Sequence, residues 1–229
     1  MRGAIFDLDG TLADTAADLL NAANKALAPH GLPMLEHGRD KAFAGRGARS
    51  MIRRSLELAG RAHDTAEDRA LTDQVYPVLL EIYEEALAVE TRLFDGVVEC
   101  LDALDATGWR IGVCTNKPER MALKVLKALG VLDRFGAVLG ADTLPVRKPD
   151  PKHMLETARR IGADPARSVM IGDTVTDLST ARALGAPCVL TSFGFAAEPL
   201  AVLSPDAIVD HFDDVAPALE TLVPAAQNA

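Results

Sequence analysis

Two aspartates one residue apart, Asp7 and Asp9, follow a short apolar run near the start of the chain. In an extended segment, residues i and i+2 point to the same side, so this pair would crowd two negative charges together. Such crowding is unfavourable unless a cation lies between the carboxylates or one of them takes up a proton. The spacing therefore indicates a site for a cation or for proton transfer.

Polar side chains also follow the next three apolar runs that we interpret as strands: Thr115 and Asn116, then Lys148, then Asp173 and Asp177. In an open parallel sheet, ligands bind beyond the carboxyl ends of the strands. Several carboxylates with no His or Cys beside them suit a hard ion such as Mg²⁺, and a hydroxyl and a lysine suit a bound phosphate. We therefore expect a magnesium-dependent phosphoryl-transfer site at one edge of a sheet.

The elements that must position these residues alternate between strand-like and helical patterns. The predicted strands are short runs rich in Val, Ile and Leu, at 4–8, 110–114, 137–139, 168–171, 188–190 and 207–209. The predicted helices between them cover 97–106, 119–129, 151–161, 177–184 and 215–222. This alternation predicts an α/β fold with a Rossmann-like, mostly parallel sheet and helices on both of its faces.

One long segment carries no strand pattern. Between residues 14 and 89 we find only helical patterns, at 16–27, 48–58 and 66–87. We therefore predict two domains, an α/β core domain of residues 1–13 and 90–229 and an all-helical domain of residues 14–89 inserted after the first strand.

Composition limits the kinds of partner. The 229 residues include 24 Lys and Arg against 33 Asp and Glu, a formal charge of -9, which opposes nucleic acid as a partner. The three cysteines, Cys100, Cys114 and Cys188, lie far apart and suit reduced thiols. No apolar stretch approaches the ~20 residues that span a bilayer, and no signal-peptide pattern opens the chain. We expect a cytoplasmic protein without a membrane partner.

Four segments of the predicted core read FDLDGTLADT, CTNKP, RKPDP and GDTVTD. In this order they resemble the four motifs of the haloacid dehalogenase-like (HAD) superfamily and cover the whole core. True dehalogenases of the superfamily lack the second aspartate of the first motif, so Asp9 makes the chain similar to the phosphoryl-transfer members. The helical insertion resembles the small cap domain of the phosphoglycolate phosphatase branch.

The resemblance implies a role for each motif residue. Asp7 would be the nucleophile that forms an aspartyl-phosphate, and Asp9 the general acid and base. The implied phosphate-binding residues are Thr115, Asn116 and Lys148. The implied magnesium ligands are the Asp7 side chain, the Asp9 backbone carbonyl and Asp173, with Asp177 supporting a metal-bound water or Lys148. Asp177 could instead only cap the helix that follows it, a position that Asp often occupies.

The resemblance also implies a small phosphorylated metabolite as substrate, with 2-phosphoglycolate the leading choice. Pyrophosphate or a sugar or amino-sugar phosphate would fit the same motifs, since the motifs determine the reaction rather than the leaving group. Gly45 and Arg46, in the segment AGRGARSMIRRS, are the predicted specificity residues. The alternative for this segment is a solvated basic helix face. A monomer and a homodimer both fit the sequence.

Two other functions stay open on the sequence alone. Cys114 and Arg120 have the C-x5-R spacing of cysteine-dependent phosphatases, although the loop between them has no glycine and Pro118 removes one amide. A catalytically inactive, ligand-binding relative would also keep the fold.

Overall fold

The computed structural model describes residues 1–61, 64–196 and 199–225. The strands within these ranges are β1 (Gly3–Phe6), β2 (Ala13–Asp14), β3 (Arg92–Leu93), β4 (Arg110–Cys114), β5 (Ala137–Leu139), β6 (Ser168–Gly172), β7 (Cys188–Thr191) and β8 (Ala207–Val209). The helices are α1 (Ala16–Leu27), α2 (His37–Ala44), α3 (Ala48–Leu58), α4 (Ala66–Glu85), α5 (Val97–Ala106), α6 (Glu119–Ala128), α7 (Pro151–Arg160), α8 (Val175–Leu184), α9 (Leu200–Leu203) and α10 (Val215–Leu222). Several 3-10 turns connect them.

The chain divides into two compact units. The α/β unit consists of Met1–Asp14 and Leu93–Ala229, and the helical unit is Thr15–Arg92.

Six strands of the α/β unit form one parallel sheet in the order β5-β4-β1-β6-β7-β8. The chain runs outward from β1 through β4 to β5 and then returns to the other side of β1. Gly3 of β1 therefore aligns with both Arg110 and Ser168, and Phe6 with both Val113 and Ile171. Residues that follow β1, β4 and β6 emerge together at the point where the strand order reverses, which is where open α/β sheets bind ligands.

Helices cover both faces of this sheet, as predicted. On one face, Ile5 of β1 packs in a cluster with Met154 of α7 and Leu178 of α8. On the other face, α5 contacts β4 and α10 contacts β7, and the ring of Phe6 stacks on that of Phe212 with centroids 6.4 Å apart. Each such large apolar side chain contributes roughly 1.5–3 kcal/mol when fully buried. The prediction of an α/β fold with a parallel sheet is confirmed.

The first strand ends earlier than predicted, at Phe6 rather than residue 8. The chain turns after Asp7, where the carbonyl oxygen of Leu8 accepts hydrogen bonds from the amides of Leu12 and Ala13, both at 3.0 Å. Asp7 therefore still lies at the end of the parallel ladder, whereas Asp9 lies beyond the start of the turn, so the two do not share one extended segment.

The helical unit contains α1 to α4. Helix α1 contacts α2, α3 and α4, and α3 contacts α2 and α4. Asp18 of α1 is buried and accepts hydrogen bonds from the amides of Glu90 and Thr91 and from the Thr91 hydroxyl, at 2.7 to 3.1 Å. These bonds hold the segment after α4 against α1. Among the described residues, no helix is long and apolar enough to cross a membrane.

Candidate active site

Three residues that directly follow neighbouring strands begin the site. The amide of Asp7 donates to the carbonyl of Ile171 at 2.8 Å, and the amide of Thr115 donates to that of Leu139 at 3.0 Å. The ladder of parallel strands therefore continues past the ends of β1 and β4. Asp173 follows β6 on the other side of Asp7. The sheet thus fixes the backbone of each of these residues.

Lys148 connects two carboxylates of the site. Its ammonium nitrogen lies 2.9 Å from Asp7 Oδ1 and 2.6 Å from Asp177 Oδ1, and the residue is 3% exposed. Burial lowers the pKa of Lys148, but the carboxylates of Asp177 and Asp7 raise it more, so that the net shift is upward. The lysine therefore keeps its positive charge at the centre of the site.

Asp7 is buried and uses one of its two carboxylate oxygens for contacts. Oδ1 accepts from the Leu8 amide at 2.8 Å and contacts Lys148. Within the described part of the chain, the hydrogen bond from the Leu8 amide and the ion pair with Lys148 both involve Oδ1. Oδ2 is therefore left to bind a ligand or to attack a substrate. Burial raises the pKa of Asp7 to about 6, Lys148 lowers it, and the charges of Asp177 and Asp9 add to the rise.

Asp173 is fully buried, and both of its oxygens accept hydrogen bonds. The Thr11 hydroxyl donates to Oδ1 at 2.9 Å, and the Phe195 amide donates to Oδ2 at 2.7 Å. Burial raises its pKa well above the usual range, and the charges of Asp177 and Asp7 raise it further. Two hydrogen-bond donors therefore orient Asp173, while the neighbouring charges of Asp177 and Asp7 are both negative.

Two glycines make room for Asp173. Gly10 has φ +85°, and a Cβ atom there would lie 2.3 Å from Asp173 Oδ2. A Cβ atom at Gly194 would lie 2.3 Å from Asp173 Cβ. Real Cβ atoms do not approach other atoms this closely, so positions 10 and 194 leave no room for a side chain beside Asp173.

Asp177 both caps the helix that follows it and contacts Lys148. Its Oδ2 accepts from the amide and hydroxyl of Thr174, at 3.1 and 2.7 Å, at the N-terminus of α8. Its Oδ1 contacts Lys148. The helix cap thus holds Asp177 in position while the other oxygen orients the lysine.

Oxygen atoms of Asp7, Asp173 and Asp177 all lie within 4.8 Å of one another. Three carboxylates beside one lysine leave two excess negative charges, and this excess adds to the upward pKa shifts that burial causes in Asp7 and Asp173. One divalent cation would balance the charge, and a donor set made only of oxygen suits a hard ion. The residues present therefore fit such a cation.

Asp9 faces a different lysine. The ammonium nitrogen of Lys117 lies 2.9 Å from Asp9 Oδ1 and 3.2 Å from Oδ2. The side chains of Lys117 and Asp9 are 3% and 17% exposed. Sequence reasoning missed Lys117, although its position two residues after Thr115 within CTNKP placed it at the same strand end.

Thr115 and Asn116 lie beside these charges. Thr115 is 1% exposed, and its hydroxyl oxygen accepts from the Lys117 amide at 3.2 Å, so its hydrogen can be donated to a ligand. The Asn116 side-chain amide donates to the carbonyl of Lys148 at 3.0 Å. Asn116 therefore connects the loop after β4 to the loop that carries Lys148. Phosphate binding by Thr115, Asn116 and Lys148 stays a prediction.

Cys114 has the wrong surroundings for a nucleophile. It is fully buried, and its sulfur lies 3.3 Å from His153 Nδ1, while His153 Nε2 lies 3.0 Å from the carbonyl oxygen of Gly140. Because a carbonyl only accepts, Nε2 carries the hydrogen and Nδ1 accepts from the thiol. Burial raises the pKa of the Cys114 thiol to about 12. Since the reactive form is the thiolate, the structure opposes the cysteine-dependent alternative.

Gly45 and Arg46 lie in the turn between α2 and α3 of the helical unit. Arg46 is exposed, and its guanidinium lies 6.0 Å from the centroid of the Phe43 ring. Its neighbour Arg49 pairs with Asp73 at 2.7 Å. The specificity role of Gly45 and Arg46 stays a prediction.

Comparisons with known proteins agree with the strand-end motifs. The family model described as haloacid dehalogenase-like hydrolase matches residues 1–185. A phosphoglycolate phosphatase of Mesorhizobium japonicum is 38% identical over 97% of this chain and 96% of its own length. That of Caulobacter vibrioides is 40% identical over 95% of this chain and 90% of its own length.

A solved structure described as a predicted phosphoglycolate phosphatase from Haemophilus somnus has a TM-score of 0.83 at 30% identity, covering 95% of this chain and 97% of that one. The family model alone spans all four motifs, and the relatives match almost the whole chain. The chain therefore belongs to the haloacid dehalogenase-like hydrolases and groups there with the phosphoglycolate phosphatases.

Proposed function

We propose that this chain is a magnesium-dependent phosphatase that hydrolyses 2-phosphoglycolate to glycolate and phosphate. The main support is the buried group of Asp7, Lys148 and Asp173 at one sheet edge, with its excess of negative charge. The shared name of the relatives supports the choice of substrate.

In this proposal the carboxylates of Asp7 and Asp173 and the backbone carbonyl of Asp9 would hold Mg²⁺, while Asp177 would support a metal-bound water or Lys148. Bound magnesium supplies the positive charge that lets a phosphate dianion come close to several carboxylates. Thr115 and Asn116 donate to phosphate oxygens, and Lys148 offsets the charge that develops on them during transfer.

The first half of the reaction transfers the phosphoryl group to Asp7. Oδ2 of Asp7 forms a bond to phosphorus, and the bond between phosphorus and the glycolate oxygen breaks. Asp9, protonated at this point, gives its proton to that oxygen, so glycolate leaves as the alcohol. The product on the protein is an aspartyl-phosphate.

The second half returns the protein to its starting state. Asp9, now a carboxylate, takes a proton from water as the water oxygen bonds to phosphorus. The bond between phosphorus and Asp7 Oδ2 breaks, which restores the carboxylate and releases phosphate. Asp9 thus ends protonated, ready for the next turnover.

The helical insertion, assigned from the sequence to residues 14–89, is proposed to act as a cap that selects the substrate through Gly45 and Arg46. The core domain is proposed to comprise residues 1–13 and 90–229. A cytoplasmic location suits a small phosphorylated metabolite as substrate, with the protein acting as a monomer or homodimer.

A substrate panel with Mg²⁺ tests the proposal. We expect kcat/KM for 2-phosphoglycolate to exceed that for pyrophosphate, sugar phosphates and amino-sugar phosphates by at least about tenfold, or ~1.4 kcal/mol of transition-state stabilisation. Asp7→Asn should abolish all of these activities. A 2-phosphoglycolate value no better than the median of the panel would overturn the choice of substrate.

Arg46→Met tests the specificity residue. An arginine that pairs with the substrate carboxylate contributes through a bidentate hydrogen-bonded pair, so its loss should raise KM for 2-phosphoglycolate by roughly tenfold. KM for a phosphate ester without a carboxylate should stay unchanged. Arg53→Met, an exposed arginine in the same segment, is the matched control.

A further inference from the structure

Lys117 is a nearly buried lysine. It has no role in the phosphate binding or in the cation site proposed above. Its ammonium nitrogen contacts both carboxylate oxygens of Asp9, at 2.9 and 3.2 Å. Under the proposed function, Asp9 is the residue that transfers both protons. The lysine therefore acts on the one carboxylate whose orientation decides the proton-transfer steps.

The backbone of Lys117 is fixed on both sides. Its amide donates to the Thr115 hydroxyl oxygen at 3.2 Å, and its carbonyl accepts from the Ala141 amide at 3.0 Å. Gly140 packs so closely that a Cβ atom there would lie 2.7 Å from the Lys117 carbonyl oxygen. With the backbone held and the side chain 3% exposed, the ammonium has little freedom to move and is preorganised against Asp9.

The main consequence of this ion pair is geometric. Burying two charges costs desolvation energy that largely offsets their attraction, so a buried pair adds little net stability. What the pair does impose is a direction: two contacts from one nitrogen hold both oxygens of Asp9. Lys148 cannot replace this contact, because it is engaged by Asp7 and Asp177.

We propose that Lys117 is a positioning residue for Asp9. It holds the side-chain carboxyl group in the orientation in which Asp9, when protonated, gives a proton to the leaving oxygen and later, as a carboxylate, takes one from water. This inference rests on the proposed function. Loss of Lys117 slows the proton-transfer steps and leaves the attack of Asp7 on phosphorus nearly unchanged.

A substrate with a good leaving group separates these steps. 2,4-Dinitrophenolate departs without protonation, so the first turnover of 2,4-dinitrophenyl phosphate needs Asp7 and not Asp9, whereas hydrolysis of the aspartyl-phosphate needs Asp9. In Lys117→Met we expect the burst of dinitrophenolate to keep its rate within about threefold, while steady-state turnover falls roughly 10–100-fold. For 2-phosphoglycolate, kcat should fall by a similar factor with KM within about threefold.

Three further variants complete the test. Lys117→Arg keeps the charge and should recover part of the lost kcat. Lys127→Met removes an exposed lysine from α6, the helix that follows the same loop, and should leave both phases unchanged. Lys117→Gln keeps a polar side chain and takes the place of Lys117→Met if that variant does not fold.

A double-mutant cycle tests whether Lys117 acts through Asp9. Once Asp9→Asn has removed the proton carrier, adding Lys117→Met should cost no more than about twofold in kcat. Fully additive losses, or a burst slowed as much as the steady state, would overturn the inference. A wild-type protein without Asp7-dependent phosphatase activity would instead refute the proposed function, so the two failures are distinguishable.

Discussion

Asp7 and Asp9 lie one residue apart but have different lysine partners. Lys148 contacts Asp7, and Lys117 contacts Asp9. The surroundings of the two carboxylates therefore differ, because Asp9 pairs with its own lysine while Asp7 belongs to a cluster with excess negative charge. This difference supports the proposal that Asp7 is the nucleophile and Asp9 the proton carrier, although both are aspartates.

Gly10→Ala tests how closely the turn fits Asp173. The new Cβ atom would lie 2.3 Å from Asp173 Oδ2, so we expect at least about a tenfold loss of kcat/KM and a higher Mg²⁺ concentration for half-maximal activity. Gly130→Ala is the matched control, since its φ of +73° is also positive but no atom lies within 4 Å. Both variants should lose roughly 1–2 kcal/mol from the left-handed backbone.

Comparing the two glycine variants distinguishes the steric clash with Asp173 from the cost of the left-handed backbone. Equal activities of Gly10→Ala and Gly130→Ala, measured at saturating Mg²⁺ and below the melting transition of either, would contradict the view that Gly10 is needed to accommodate Asp173.

The sequence was sufficient to identify those site residues whose side-chain chemistry and position after a predicted strand can both be read from it. Asp7, Lys148 and Asp173 belong to this group, and the structure brings them together. Thr11 and the amide of Phe195 could not be found this way, because Thr11 meets Asp173 across 162 residues and a backbone amide has no residue-type signal. Lys117 was missed because a lysine in a loop usually faces water.

Among the helices, apolar periodicity predicted α1 and α3 to the residue, but α2 was missed. Helix α2 has the sequence HGRDKAFA, and its buried residues are only Asp40 and Ala44. What stabilises it is Asp40, which is fully buried and accepts hydrogen bonds from Arg39, Arg54 and the Glu36 amide. A helix held by a buried charge has no apolar stripe, so pattern reasoning does not detect it.

Asp40 makes the stability of the helical unit depend on pH. Burial alone would raise the pKa of Asp40, but hydrogen bonds from Arg39, the Glu36 amide and Arg54 lower it to about 2, against an ordinary value near 3.8. Between these two values the unfolded chain binds the proton more readily than the folded one. The stabilisation is therefore complete above about pH 4 and is lost as the pH falls through about 2.

Asp40→Asn should lower the free energy of unfolding by roughly 1–3 kcal/mol at pH 7. The difference between wild type and variant should shrink as the pH falls from 4 to 2. Urea denaturation followed by circular dichroism over this range measures it. A difference that stays constant with pH would contradict the assignment of Asp40 as an ionised, buried acceptor.

The α/β unit is assembled from two distant parts of the chain. Asp7 and Asp9 belong to Met1–Asp14, whereas Lys148, Asp173 and Asp177 belong to Leu93–Ala229. A cation held by Asp7 and Asp173 would connect these parts directly. Cation binding and the stability of this unit are therefore expected to be coupled.

Mg²⁺ should raise the melting temperature of the protein. At a concentration 100 times its Kd, binding to the folded state alone adds about 2.7 kcal/mol, which corresponds to roughly 5–10 °C for a chain of this size. Asp173→Asn should lose most of this increase, and Asp105→Asn, on the exposed surface of α5, should keep it. An equal increase in both variants would place the cation elsewhere.

In the proposed mechanism, Asp7 carries the phosphoryl group during turnover. Rapid acid quench during 2-phosphoglycolate hydrolysis, followed by borohydride reduction and peptide mass spectrometry, tests it directly, because reduction of an acyl-phosphorylated aspartate yields homoserine. We predict homoserine at position 7 in the wild type and none in Asp7→Asn. Unmodified Asp7 in a protein that is turning over substrate, or phosphate recovered on Cys114, would show that Asp7 is not the nucleophile.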